Sequence, residues 1–108
     1  MKDIIFVYMT FPSLKEASAV AEALVAEDII ACANLIPKIV SIYKWEGKIN
    51  NAEEAVLIAK TAADKWDDLE KRVKELHSYT CPCITAIPIT KGNPDFLNWV
   101  LKSVEFGV

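Results

Sequence analysis

The chain has 108 residues, 53% of them hydrophobic and 25% charged, and a net charge of −3. That length suits one domain over 1–108 and is too short for two, and no run of Lys and Arg supplies the basic patch that a nucleic-acid partner needs. The longest apolar run, Ile4 to Met9, is too short to cross a bilayer, and Asp3 together with the lack of a small-residue cleavage site argues against a signal peptide.

Ile4 to Phe11 is a β-branched and aromatic run closed by Pro12, which predicts a buried strand. Ser13-Leu14-Lys15-Glu16 then forms a capping box, with Ser13 as N-cap and Glu16 three residues on. Ala17, Val20, Ala21, Leu24 and Val25 fall at helical spacing and give this helix one apolar face, ending near Asp28. Ile29 to Ile36 is again apolar, and Pro37 predicts a bulge or an edge. Val40, Ile42 and Tyr43 continue as strand to a turn at Trp45-Glu46-Gly47-Lys48. Asn50-Asn51 offers a second turn signal, before a strand over Ala55 to Thr61. Together these segments predict a long hairpin over roughly residues 30 to 61.

A second helix starts near Ala63 or Asp64, with Trp66, Leu69, Val73 and Leu76 as its apolar stripe. Ile84 to Ile89 reads as a strand interrupted by Pro88. Asn93 as N-cap and Pro94 at the first helical position open a third helix, whose apolar face is Phe96, Leu97, Val100, Leu101 and Val104. The order β-α-β-β-α-β plus a terminal helix is the ferredoxin-like α+β arrangement, with helices packed on an antiparallel sheet.

The most informative stretch runs from Leu76 to Ile84, where the only histidine, His77, lies near Cys81 and Cys83. Imidazole and thiolate suit copper and zinc, and alternate residues of an extended segment share a side, so Cys81 and Cys83 could hold Cu(I) with His77 as a third ligand. Against this, free Cys often packs as a small hydrophobe, and the spacing is not that of a zinc site. Three cysteines is an odd number, and Cys81 and Cys83 are too close to bridge comfortably, so a disulfide framework is not expected. Free thiols fit a reducing cytoplasm.

Elsewhere, Cys32 reads as a packed thiol or as a thiol near a cleft between subunits, and with Met9 it is a weaker candidate metal ligand. Asn34 is unusual in a strand, and could satisfy a bulge or line that cleft. Tyr43, Trp45, Tyr79 and Trp99 are amphipathic aromatics suited to an interface or to a small-molecule pocket, with Lys60 as a positive group that otherwise simply reaches solvent. Catalysis finds little support. There is no nucleophile elbow and no Gly-rich phosphate loop, and Glu53 and Glu54, adjacent in a strand, face opposite sides. A non-enzymatic role is expected.

Several motifs in one order carry a family resemblance: Val7-Tyr8-Met9-Thr10-Phe11-Pro12, Ala31-Cys32-Ala33-Asn34-Leu35-Ile36-Pro37, Ser41 to Ile49, Lys60-Thr61, Leu76-His77-Ser78-Tyr79 with Pro82, and Gly92-Asn93 followed by Phe96 to Trp99. Through these the chain closely resembles the CutA divalent-cation tolerance proteins over nearly its whole length. The resemblance implies a homotrimer with long hairpins paired between subunits, similar to PII signalling proteins, and a link to copper and other divalent metals. It also supplies the runner-up reading, a PII-like sensor that binds a small metabolite between subunits.

The chain departs from the family pattern at Ser78, where Pro is usual, at Cys81, where Val is usual, and at Cys83, where Glu is frequent. Some bacterial members bind metal through a thiol at the Met9 position and histidines at the Leu76 and His77 positions. Of that set only His77 is kept here, with Met9 offering a thioether.

Overall fold

Alternating side chains of the first strand divide the molecule into two faces. The computed structural model describes residues 3–105. β1 (Ile4–Phe11) leads into α1 (Leu14–Ala26), the hairpin β2 (Cys32–Trp45) and β3 (Lys48–Ala62), a short 3₁₀ turn at Ala63–Lys65, α2 (Trp66–Leu76), β4 (Ile84–Pro88) and α3 (Pro94–Ser103). The four strands form one sheet in the order β2-β3-β1-β4, and every pairing is antiparallel. This is the expected ferredoxin-like α+β arrangement. Among the described residues no helix is long and apolar enough to cross a membrane.

On one face, Ile5, Val7, Met9 and Phe11 of β1 join Ala55, Leu57 and Ala59 of β3 under Ala17, Val20, Ala21 and Leu24 of α1 and Leu69 and Val73 of α2. Burying each larger side chain of this set contributes about 1.5–3 kcal/mol. Trp66 packs against the cluster partly buried, as its spacing predicts. The other face is covered only at one end. There the register pair Ile4 and Ala62 packs with Ala31, with Val100 of α3 and with Val104, which caps that helix. The third helix therefore does not share a layer with the other two. Beyond it, Phe6, Tyr8 and Ile58 stay partly accessible, and Ile87 is 54% exposed.

The ends of the elements follow local chemistry. Ser13 Oγ accepts from the Glu16 backbone N–H at 3.2 Å, and Asn93 Oδ1 accepts from the Asp95 N–H at 3.0 Å ahead of Pro94 at the start of α3. Helix α1 stops at Ala26, and Asp28 takes a left-handed φ of 59°. The hairpin turns through Glu46 and Gly47, with φ of 49° and 77°, the pair of positive values that a two-residue turn requires.

Asn50 and Asn51 are not a turn. They lie within β3, paired with Tyr43 and Ile42, because the tight turn at Glu46-Gly47 starts the ladder at once. Near Pro37 the register shifts between Ile36 and Ile39, so Pro37 and Lys38 stand against Ala55 as a bulge. Pro37, with no N–H to donate, is tolerated there. The radius of gyration is 14.7 Å, against about 13 Å for a compact domain of this size. The excess reflects the far half of the hairpin, which projects past the helices.

Candidate metal and ligand site

The loop between α2 and β4 is fixed by His77. The His77 N–H closes α2 by donating to the Val73 carbonyl at 2.8 Å, after which the backbone turns extended. The imidazole, its side chain 0% exposed, stacks on Phe11 with ring centroids 4.3 Å apart and planes 17° apart. Nε2 lies 2.7 Å from the Thr10 carbonyl oxygen, and Nδ1 lies 3.1 Å from the Tyr79 backbone N–H. A carbonyl only accepts and an N–H only donates, so the ring carries its proton on Nε2 and offers a lone pair at Nδ1. Glu16 completes the anchor, accepting from the Ser78 N–H at 3.2 Å and the Ser78 hydroxyl at 3.0 Å.

This geometry does not gather the ligand set expected from sequence among the described residues. Both ring nitrogens of His77 are engaged inside the protein, so coordination would cost two hydrogen bonds and a buried stack. Met9 is 0% exposed in the core under α1 and α2, and its thioether does not reach solvent. Cys32 sits on the other face of the sheet, half-buried and paired in register with Lys60. Burial pushes its thiol up from the ordinary range, and the positive charge of Lys60 partly opposes that. Among the described residues no three His, Cys, Asp or Glu side chains come together as a metal set.

Cys81 and Cys83 are different. Both are free and exposed, and both line one cavity of about 750 Å³. They precede β4 and lie in irregular backbone, not in a strand. Two thiolates suffice for a soft monovalent ion such as Cu(I), whereas a hard divalent ion wants more ligands, chiefly oxygen.

The expected cleft residues separate into three groups. Tyr43, Trp45 and Tyr79 line the cavity that holds the thiols. Lys60 Nζ donates to Asn34 Oδ1 on the uncovered sheet face, so Lys60 has a partner beyond solvent. Trp99 lies on α3, 49% exposed, and stacks on Phe96 with ring centroids 5.9 Å apart.

Sequence reading passed over Glu54, Ser41 and Thr10, which also line the cavity. Tyr79 donates its hydroxyl to Glu54 Oε2 at 2.9 Å, and burial together with the Glu54 carboxylate pushes the phenol up to about 12. A usable signal for Glu54 was present. Counting back from the Glu46-Gly47 turn places it on the same face as Ser41, Tyr43 and Trp45.

Comparison with known proteins agrees with this architecture. Residues 5–103 match the family model for the CutA1 divalent ion tolerance protein. The divalent-cation tolerance protein CutA of Archaeoglobus fulgidus is 46% identical over 100 residues, which cover 93% of this chain and 97% of that protein. A solved structure of the periplasmic divalent cation tolerance protein CutA from Archaeoglobus fulgidus has a TM-score of 0.92 at 44% identity, covering 94% of this chain and 99% of that one. CutA1 from Oryza sativa has a TM-score of 0.95 at 36% identity, covering 98% of this chain and 97% of that one.

Proposed function

This chain belongs to the CutA1 divalent ion tolerance family, and from that premise we propose that it is a non-enzymatic, cytoplasmic homotrimer that binds copper and so contributes to metal tolerance. The observation that carries the copper reading is the pair Cys81 and Cys83, one residue apart, exposed and lining one cavity. Thiolates are the soft ligands that Cu(I) favours. Three free cysteines, none in a disulfide, suit a reducing compartment.

Support for the trimer comes from the projecting half of the hairpin. Val40, Ile42 and Ile49 are 64%, 73% and 78% exposed there, on a strand pair that its own helices do not cover. Large exposed apolar patches mark interaction surfaces.

Native mass spectrometry of reduced, metal-free protein titrated with Cu(I) against a competing chelator tests both parts. A trimer with a whole number of copper ions per chain, lost in the Cys81→Ser/Cys83→Ser variant, is the expected result. Unchanged copper affinity in that variant would remove these ligands, and a monomer would remove the assembly. The aromatic cavity favours a second reading, a PII-like sensor in which a small molecule binds beside the hairpin. It predicts a ligand-dependent rise in melting temperature that chelators do not affect.

A further inference from the structure

Apart from its two thiols, the cavity beside the hairpin has a second chemical character. The register sets Ser41 opposite Ala52, Tyr43 opposite Asn50 and Trp45 opposite Lys48. With a period of two, Ser41, Tyr43 and Trp45 share one face with Ala52 and Glu54. The small pair Ser41 and Ala52 leaves room, Tyr43 and Trp45 follow it along β2 toward the turn, and Tyr79 joins through its hydroxyl bond to Glu54. The resulting space is about 750 Å³, within the range of small-ligand pockets. Among the described residues none that lines it is basic.

We propose that this cavity binds an organic ammonium ion, with Glu54 as counter-charge and Tyr43, Trp45 and Tyr79 as its aromatic walls. The inference takes up the sensor reading and names its ligand class. Aromatic faces carry negative potential and attract cations, quaternary ammonium above all. A neutral apolar guest would cover the Glu54 carboxylate and leave its charge offset by nothing more than the Tyr79 hydroxyl bond, which costs free energy. An anionic guest would meet Glu54 with no positive group among the lining residues to offset it. A hard metal ion would find one carboxylate where it needs several oxygens. Tyr79, held at its N–H by His77 and at its hydroxyl by Glu54, fixes the carboxylate before any ligand arrives.

The test is an NMR titration of the assembled, reduced, metal-free protein with choline and, in parallel, with its neutral carbon isostere 3,3-dimethylbutan-1-ol. Using metal-free protein separates this result from the copper reading, whose failure would leave the titration unchanged. Choline is expected to shift the Trp45 indole signal, assigned by its loss in Trp45→Phe, and to saturate in the millimolar range. The isostere should bind about tenfold more weakly. Glu54→Gln, which still accepts from the Tyr79 hydroxyl, should weaken choline by about tenfold and leave the isostere unchanged. Equal binding of the two probes would make the cavity a plain apolar hollow and overturn the proposal. Absence of any saturable shift, as when a neighbouring copy fills the space, would overturn it too.

Discussion

The Nε2–H of His77 donates to the carbonyl oxygen of Thr10 at 2.7 Å, across 67 residues of sequence. The bond forms one residue past the last β1–β4 pair, Met9 with Ile84. It ties the loop that carries Tyr79, Cys81 and Cys83 to the end of the central strand. The histidine is therefore an anchor for the residues around it.

Replacing His77 with Ala removes that bond, the acceptor for the Tyr79 N–H and the stacked ring on Phe11. The expected loss is about 2–4 kcal/mol, read by urea denaturation at fixed protomer concentration. His77→Phe keeps the stack and should recover part of the loss. If His77→Ala were neutral, the ring would not hold the loop.

Tyr79 should ionise late in an alkaline titration, since its phenol is pushed up to about 12. Ultraviolet absorbance across an alkaline titration reads this, with the late step missing in Tyr79→Phe and shifted down in Glu54→Gln. The sign for stability follows. Unfolded tyrosine loses its proton near pH 10 while the folded phenol keeps it, so the unfolded chain binds fewer protons in that interval and stability falls. The contribution is complete below about pH 10 and is lost as the pH rises through about 12.

Thiol reagents should separate the cysteines. Cys81 and Cys83 are exposed and should react rapidly, while half-buried Cys32 reacts slowly. Its raised pKa leaves less thiolate at pH 8, and the thiolate is the nucleophile. Lys60→Met removes the charge that favours the thiolate and should slow Cys32 further. Following the modification of each site by mass spectrometry checks both statements.

The hairpin turn can be improved at Glu46. Its φ of 49° is uncomfortable for Glu and acceptable for Asn, so Glu46→Asn should stabilise by about 0.5 kcal/mol. Gly47→Ala should cost about 1 kcal/mol. An added Cβ there meets nothing within 4 Å, so that loss is conformational only. Thermal melts of the two variants should move in opposite directions.

Charge on the projecting hairpin should disrupt assembly. Ile42 and Ile49, 73% and 78% exposed, lie on the hairpin face opposite the aromatic cavity. Ile42→Lys/Ile49→Lys is expected to shift the proposed trimer toward monomer in light scattering after size exclusion, since buried charge without a partner is costly. A trimer that persists would place the interface elsewhere.

Local features were legible in the sequence where one short segment decides them. The Ser13 cap, the Asn93-Pro94 helix start and the turn at Glu46-Gly47 each depend on a few adjacent residues, and all three are present. Asn50-Asn51 misled because turn propensity is overridden once a ladder is already in register. The candidate site was less legible. Which residues lie near Cys81 depends on where β1, β3 and the loop meet, and Thr10 and Glu54 are distant in sequence. His77 illustrates the limit, for its neighbours in the chain suggest a ligand while Phe11, Thr10 and Glu16 make it structural.

The bulge at Pro37 and Lys38 acts as a change of phase. Before it, the even-numbered Cys32, Asn34 and Ile36 share a face with Lys60, Ile58 and Val56; after it, the odd-numbered Ile39, Ser41, Tyr43 and Trp45 take that side. Were the same residues to run straight through this point, unbroken alternation would turn Tyr43 and Trp45 away from Tyr79 and toward the side now held by Val40 and Ile42. The one extra residue held in the bulge therefore decides, as much as composition does, which chemistry each surface displays. Losing that residue would straighten the ladder and still leave the aromatic recess where it is, because every later pair with β3 is kept.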